Sequence, residues 1–385
     1  MKRFKEQLLG DVLDFYDHQR VPLSSLERDT RQGEFRYYGA QGVIDYLDSY
    51  IFDGQFILIA EDGANLVTRN EPIAFLVDGQ FWVNNHAHVV RGRPGVADDF
   101  YITALLNNLN IAGFITGVAQ PKLSQQNLKQ IKISLPDYAT QREIADVLSA
   151  YDELMENNRR RMELLEESAR LLYREWFVRL RFPGHEHARL THGIPQGWEK
   201  KRLDAIAEVN RATLPSSFDG EIEYVDIASV VPGQITETTT FAFQDAPSRA
   251  RRIVQHGDII WSCVRPNRRS HAVIWKPSDN LIVSTGFAVI TPSGAPSTFI
   301  YFATTTDAFV GYLENHARGA AYPAVVAADF ERAEILVPPK RLLQLFDEFS
   351  EPTFSQIQNL RQQNQKLRAA RDLLLPRLMS GEIEV

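Results

Sequence analysis

Residues 249–271, RARRIVQHGDIIWSCVRPNRRSH, hold six arginines against one acid, Asp258. A guanidinium fork matches the acceptor pair on a guanine edge and the oxygens of a phosphate. Arg265, Asn267, Arg268, Arg269 and His271 form the densest group of such donors, and Arg249, Arg251 and Arg252 suit phosphates. The plainer reading of Arg-Pro-Asn-Arg-Arg is a solvated hairpin turn. Earlier in the chain, Arg36, Tyr37, Tyr38 and Gln41 surround a Gly-containing turn. Asn84, Asn85, His86, Arg91 and Arg93 follow the strand-like segment around Trp82. Amides suit adenine edges, so both groups are candidate nucleic-acid contacts. Gln120 and Lys122, with Tyr322, open a segment that occurs twice, and either line the same groove or begin a packed element. The net charge is −7. Phosphate contact depends on where charge lies rather than on its sum, so an acidic total can conceal a basic face.

Catalytic machinery is not evident. There is no GxxxxGK[ST] loop, no Asn/Asp-Pro-Pro-aromatic motif of an amino-methyltransferase, and no Gly-rich nucleotide loop between strand and helix. Pro136-Asp137 with Glu199-Lys200-Lys201 echoes a nuclease motif only superficially, because a long helical pattern separates the two pieces. His86 and His88 alternate on a probable strand and would face a metal together. The second copy of the segment has Gly286 and Ala288 there, so no metal site is assigned. Cys263 reads as a small buried hydrophobe, and a lone cysteine excludes an internal disulfide and a cysteine-rich zinc site. No uncharged apolar run has membrane-spanning length, and the opening MKRFKEQLLGDVLDF lacks a signal-peptide core. A cytoplasmic protein is expected.

These residues sit in a chain written twice. LSQQNLKQIKISLP (123–136) and VVAADFERAEILVP (325–338) share their apolar frame and final proline. From Pro121 onward a constant offset of 202 runs without a gap: Leu128, Ile133 and Pro136 match Phe330, Ile335 and Pro338. Upstream, FDGQFILIA (52–60) resembles QHGDIIWSC (255–263), and VNNHAHVV (83–90) resembles VSTGFAVI (283–290). Each copy begins with short alternating apolar segments that predict strands. Each ends in a long helical pattern.

In the first helix Ile144, Leu148, Tyr151, Met155, Asn158, Met162, Leu165, Ala169, Leu172 and Trp176 alternate by four and three, a heptad seam. Thr140 with Glu143 fits a capping box, and Phe182-Pro183-Gly184 ends the helix. The second seam runs Phe346, Ser350, Thr353, Ile357, Leu360, Asn364, Leu367, Arg371, Leu374, Leu378, and Pro352 is expected to break or kink it. The fold expected is α+β. Two tandem mixed α/β domains are separated by two long antiparallel spacer helices forming a coiled-coil rod, with a pseudo-two-fold repeat. The expected bounds are 1–136 and 185–338 for the two domains, and 137–184 and 339–385 for the helical regions. Such a caliper suits two unlike half-sites on one duplex face. A stand-alone DNA-binding regulator, or a scaffold with two protein-binding heads, fits the repeat as well.

SARLLYREWFVRLRFPG (168–184), RDLLLPRLMSGEIEV (371–385), YYGAQGVIDY (37–46), FDGQFILIAEDGANL (52–66), QREIADVLSAYDELMENN (141–158) and the Gly197-Trp198 pair resemble the specificity subunit of type I restriction-modification systems. The resemblance spans essentially the whole chain. It implies a non-catalytic subunit whose two target-recognition domains read an asymmetric bipartite double-stranded DNA sequence. It also implies assembly with two methyltransferase subunits and with restriction translocase–nuclease subunits. S-adenosylmethionine, ATP and Mg would belong to those partners and none to this chain. The helices would dock the methyltransferases, for which Leu154, Leu164 and Phe177 are candidate exposed apolar contacts.

Overall fold

The structure, a computed structural model, describes residues 4–117 and 119–383 of the 385. The chain forms two compact units, Met1–Glu156 with Asn364–Val385, and Asn157–Gln363. Each contains the same arrangement of sheets.

In the first unit, strands Leu13–Phe15, Ala87–Gly92, Phe56–Ala60 and Ala74–Val77 lie side by side in that order, all antiparallel. A second sheet orders Gly42–Leu47, Gln32–Gly39, Gln80–Val83 and Phe52–Asp53, and its central pair is parallel. In the second unit, Ala207–Val209, Phe287–Pro292, Ile259–Ser262 and His271–Val273 repeat the first order. Thr239–Ala242, Glu221–Val225, Leu281–Ser284 and Ala250–Ile253 repeat the second, again with a parallel central pair. The internal repeat read from the sequence is therefore a repeat of topology. FILIA and DIIWS occupy the same central strand, one residue out of register with the sequence match of Ala60 to Cys263, and His88 and Ala288 the same strand position.

The twice-written segment makes the junction between sheets and helix. In LSQQNLKQIKISLP, Ser124 accepts from Asn127 N (3.2 Å) to cap the turn Gln125–Lys129. Lys132–Leu135 then pairs with Lys5–Leu8. In VVAADFERAEILVP, Asp329 accepts from Val326 N (2.9 Å) ahead of Ala327–Glu331, and Glu334–Val337 pairs with Glu199–Arg202. Leu128, Ile133 and Leu135 are buried, as are Phe330, Ile335 and Val337. The shared apolar frame is the part that docks; the polar positions that differ are exposed or half-buried, except Asp329, which is buried where it caps its turn.

Two long helices follow these junctions: α1, Tyr138–Tyr173, and α2, Lys340–Met379. The cap of α1 is Asp137, whose carboxylate accepts from Thr140 N (3.0 Å) and Thr140 Oγ1 (3.1 Å), rather than Thr140 itself. That role also accounts for Pro136-Asp137 without a nuclease. After Tyr173 the helix widens into a π-turn, Arg174–Val178, where Arg179 N bonds Arg174 O (2.8 Å). It ends at Leu180 (φ 59°) and Gly184 (φ 86°). The expected break at Pro352 does not occur, and α2 is continuous through it. The ring is on the exposed side. Hydroxyls of Ser350 and Thr353 bond the carbonyls of Phe346 (2.9 Å) and Phe349 (2.7 Å) in the turns around it.

Both seams are buried or half-buried along their whole length. In the first unit the two helices run antiparallel: Asn364 Nδ2 donates to Met155 O (3.0 Å), Arg371 pairs with Asp152, and Leu378 joins Ile144 and Leu148 in one core. That core continues through Ile57, Val90 and Ile102. In the second unit Tyr173 and Phe177 of the first helix's end meet Phe346 of α2, in a core with Trp198, Phe299 and Phe302. Phe177, expected as an exposed docking contact, is 5% exposed and belongs to this core, whereas Leu154 (45%) and Leu164 (71%) are exposed.

Candidate nucleic-acid interface

At one end of each unit's sheets, the loops that leave the strands are tied together by main-chain hydrogen bonds, and the ties are the same in both units. In the first unit Glu61 N bonds His86 O (2.9 Å), Gly63 N bonds Pro121 O (3.1 Å), and Thr116 and Lys122 exchange both bonds (2.8 and 2.7 Å). In the second, Cys263 N bonds Gly286 O (2.8 Å), Arg265 N bonds Pro323 O (2.7 Å), and Arg318 and Ala324 exchange both (2.9 Å each). Each unit thus presents a ridge of three loops. They are 84–86, 61–64 and 116–117 with 119–122 in the first unit, and 284–286, 263–270 and 318–324 in the second. Arg249 joins the second ridge because its carbonyl accepts from Thr285 N (2.8 Å). The turn at 39–42 joins the first through Asn84 N and Tyr38 O (3.0 Å).

The second ridge is cationic. Arg265 lies over the exposed Tyr322 ring, 4.7 Å from its centroid, with Nη2 donating to Ala321 O (3.4 Å). Stacking on the ring orients the guanidinium. Asn267 and Arg268 are exposed at the loop tip. Arg265 (φ 51°) and Arg269 (φ 54°) are both in the left-handed region, which costs a residue with a side chain roughly 1–2 kcal/mol. In the first unit the place of Arg265 is taken by Gly63 (φ 112°), which adopts it without strain. Arg269 pairs with Asp307 at the start of the helix Asp307–His316. Arg318, absent from the sequence candidates, stands on this ridge. Carrying the offset of 202 upstream of Pro121 matches it to Thr116, four places before the Gln120/Tyr322 pair.

Several candidates lie elsewhere. His271 is 3% exposed, stacked on Trp261 (4.7 Å). Burial, with Arg170 and Arg269 nearby, pushes its imidazole down to about 3, so it is a neutral core residue. Arg251 covers the Phe243 ring (4.4 Å), and Arg252 donates to Thr213 Oγ1 (3.1 Å); both run along a strand away from the loops. Their exposed edges still suit phosphate.

In the first unit, Gln41, Asn85, His86 and Lys122 come together on the ridge. Tyr37 and Tyr38 do not reach it. Both are buried, one against Leu47 and Trp82 and the other against Phe75 and Phe81, because the last three residues of the strand Gln32–Gly39 are covered on both faces. The Tyr37 hydroxyl accepts from Leu23 N (3.0 Å). Asn84 is buried, its Oδ1 accepting from His86 N (2.8 Å). Arg36 donates to Asp78 O (2.6 Å), Arg91 lies over Phe56 (5.3 Å), and Arg93 donates to Asp11 O (2.8 Å). Arg36 is mid-strand, and Arg91 and Arg93 lie at and just beyond the far end of Ala87–Gly92.

The two histidines do not converge. His86 sits in the turn before the strand and pairs with Asp62 (2.8 Å). His88 is buried and bonds Asp17 (2.7 Å) and Leu123 O (2.7 Å). Asp17, Glu61 and His88 bring ligand-type atoms within 4.8 Å of one another. Arg20 pairs with both carboxylates (3.6 and 2.8 Å) and Lys122 with Glu61 (3.2 Å), so cations of the chain already fill the site. Burial alone would raise Asp17, but its bonds to His88 and the Val89 amide hold it below the usual carboxylate range. Glu61 is likewise lowered, burial being outweighed by Arg20, His88 and Lys122.

A family model, the type I restriction modification DNA specificity domain, matches residues 1–167, the first copy and part of α1. The MjaIX specificity subunit of a type I restriction enzyme, from Methanocaldococcus jannaschii, is 26% identical over 339 residues, covering 84% of this chain and 78% of that relative. Residues 1–167 thus match the type I DNA specificity domain, and over most of its length the chain is similar to type I restriction-enzyme specificity subunits. A putative specificity subunit of Haemophilus influenzae, S.HindORF215P, is 37% identical over 142 residues, 37% of this chain and 36% of its own. The crystal structure of a type I restriction-modification S subunit from M. genitalium shares the fold, with a TM-score of 0.62 over 98% of this chain and 96% of that one at 16% identity. Among the described residues no helix is long and apolar enough to cross a membrane.

Proposed function

We propose that the chain reads an asymmetric, bipartite double-stranded DNA target, one α/β domain per half-site, for a type I restriction-modification complex. The observation that carries this reading is the duplicated topology with diverged loops: two frames of the same sheet order presenting different side chains. The recognition domains correspond to 1–136 and 185–338, and the helical regions to 137–184 and 339–385. DNA contacts come from Gln41, Asn85, His86 and Lys122 in the first domain. In the second they come from Arg249, Arg265, Asn267, Arg268, Arg269, Arg318 and Tyr322.

The chain itself is non-catalytic in this reading and acts in the cytoplasm. Two methyltransferase subunits with S-adenosylmethionine place a methyl group on adenine, and translocase–nuclease subunits using ATP and Mg cut unmodified DNA. The exposed Leu154 and Leu164 on α1 are the docking candidates for the methyltransferases. The test is isolation of the tagged chain from its host. Co-purification of a large protein carrying an Asn-Pro-Pro-aromatic motif is expected. A chain that binds specific DNA alone and never co-purifies with a methyltransferase would establish a stand-alone regulator instead.

A further inference from the structure

The two ridges are superimposable in their main-chain ties, yet opposite in how they treat charge. On the second, Arg249, Arg268 and Arg318 are exposed and pair with no carboxylate among the described residues, and Arg265 is held only by the Tyr322 ring and a carbonyl. On the first, the cations are spent inside the protein. Lys122 pairs with Glu61, Arg20 with Glu61 and Asp17, and His86 with Asp62. What the first ridge leaves free are amides: Gln41, Asn85 and Gln120 are exposed and bond nothing among the described residues.

The difference is not required by the fold. Gly63 occupies without strain the left-handed position that Arg265 occupies with it, so an arginine at 265 is retained against its conformational preference. Glu61 and Asp62 stand where the second copy has Cys263 and Val264, and carboxylates there repel phosphate unless neutralised. A guanidinium offers two parallel donors to guanine O6 and N7. A carboxamide offers one donor and one acceptor, which match adenine N6 and N7.

We infer that the two domains read chemically different half-sites. The second domain specifies guanine through Arg265 and Arg268, and the first specifies adenine through Gln41 and Asn85. This inference rests on the DNA-reading function proposed above and adds which base each domain selects.

The experiment is selection from a randomised duplex library by the assembly purified from its host through the tagged chain. Wild type, Arg265→Ala, Arg268→Ala, Gln41→Ala and Asn85→Ala are compared. All four positions are exposed or half-exposed, so folding is retained, and a circular-dichroism melt verifies it. The expected result is that each arginine variant loses preference for a G·C pair in one half-site only, by roughly 5- to 150-fold per lost bidentate contact. Each amide variant loses preference for an A·T pair in the other half-site. Arginine variants that weaken all sequences equally, with a shallower salt dependence, would make these residues phosphate contacts and overturn the inference while leaving DNA reading intact. Relaxation at A·T pairs by the arginine variants, or unchanged preference in all four, overturns it too. A wild-type assembly that enriches no sequence overturns the proposed function and this inference together.

Discussion

Phe177 separates two accounts of the aromatic run at the end of α1. As a partner-docking residue it would be dispensable to the folded chain. As the structure places it, its ring lies 5.1 Å from Tyr173, 5.1 Å from Phe299, 5.1 Å from Phe346 and 5.9 Å from Trp198. Phe177→Ala removes a buried ring from a site with aromatic neighbours on several sides, which have little freedom to collapse into the gap. Large-to-small aromatic changes in cores cost about 3–5 kcal/mol. The edge-to-face pairs, worth about 0.5–1.5 kcal/mol each beyond area, place this one toward the upper end. With a urea slope of about 2 kcal/mol per M, the midpoint should fall by about 1.5–2.5 M. Tryptophan fluorescence is the assay, because Trp176, Trp198, Trp261 and Trp275 all lie in the second unit. Leu164→Asp is the counterpart. At 71% exposure it should leave the stability within about 0.5 kcal/mol of wild type, a midpoint shift of at most about 0.25 M, while abolishing methyltransferase co-purification. A Phe177→Ala protein that melts like wild type but loses its partner would refute the packing described here.

Asp17 and Glu61 are both depressed in the folded chain, so the unfolded chain binds protons first as pH falls. Their contribution is present above the unfolded carboxylate range near 4 and is lost as pH drops through the lower folded values. Urea midpoints at pH 6 and pH 3 should therefore converge in Asp17→Asn relative to wild type, and a parallel pH dependence would contradict the network. The Cys263 thiol, pushed up to about 11 by burial, should resist iodoacetamide at pH 8 in the native chain and react once urea unfolds it. Rapid native alkylation, read by mass spectrometry, would show that its loop opens.

The architecture was legible because a repeat constrains it twice. Leu128 and Phe330, or Ile133 and Ile335, could share a frame across 202 residues only if each docks a strand and turn on the same kind of core. The helical seam was legible for the same reason, down to Asn158 and Ser350 at buried positions. Pro352 misled because a proline on an exposed helical face, with neighbouring hydroxyls bonding carbonyls, is tolerated in a helix whose stability comes from packing. The site was less legible. Polar residue type signals a surface only where a strand has a solvent face, and Tyr37, Tyr38 and His271 lie where their strands are covered on both sides. Arg91 and Arg93 have the right chemistry but sit at the far end of their strand, and Arg36 is spent mid-strand on the Asp78 carbonyl, which composition cannot reveal. Arg318 had a signal in the repeat offset, and its isolation from the main arginine run hid it.

The most direct test of the account is methylation sequencing of the host genome with this gene present and deleted. The account predicts a methylated-adenine motif of two unlike half-sites around an unread spacer. It should vanish on deletion and, in Arg268→Ala, loosen in one half only. A genome whose methylation is the same with and without the gene would contradict it.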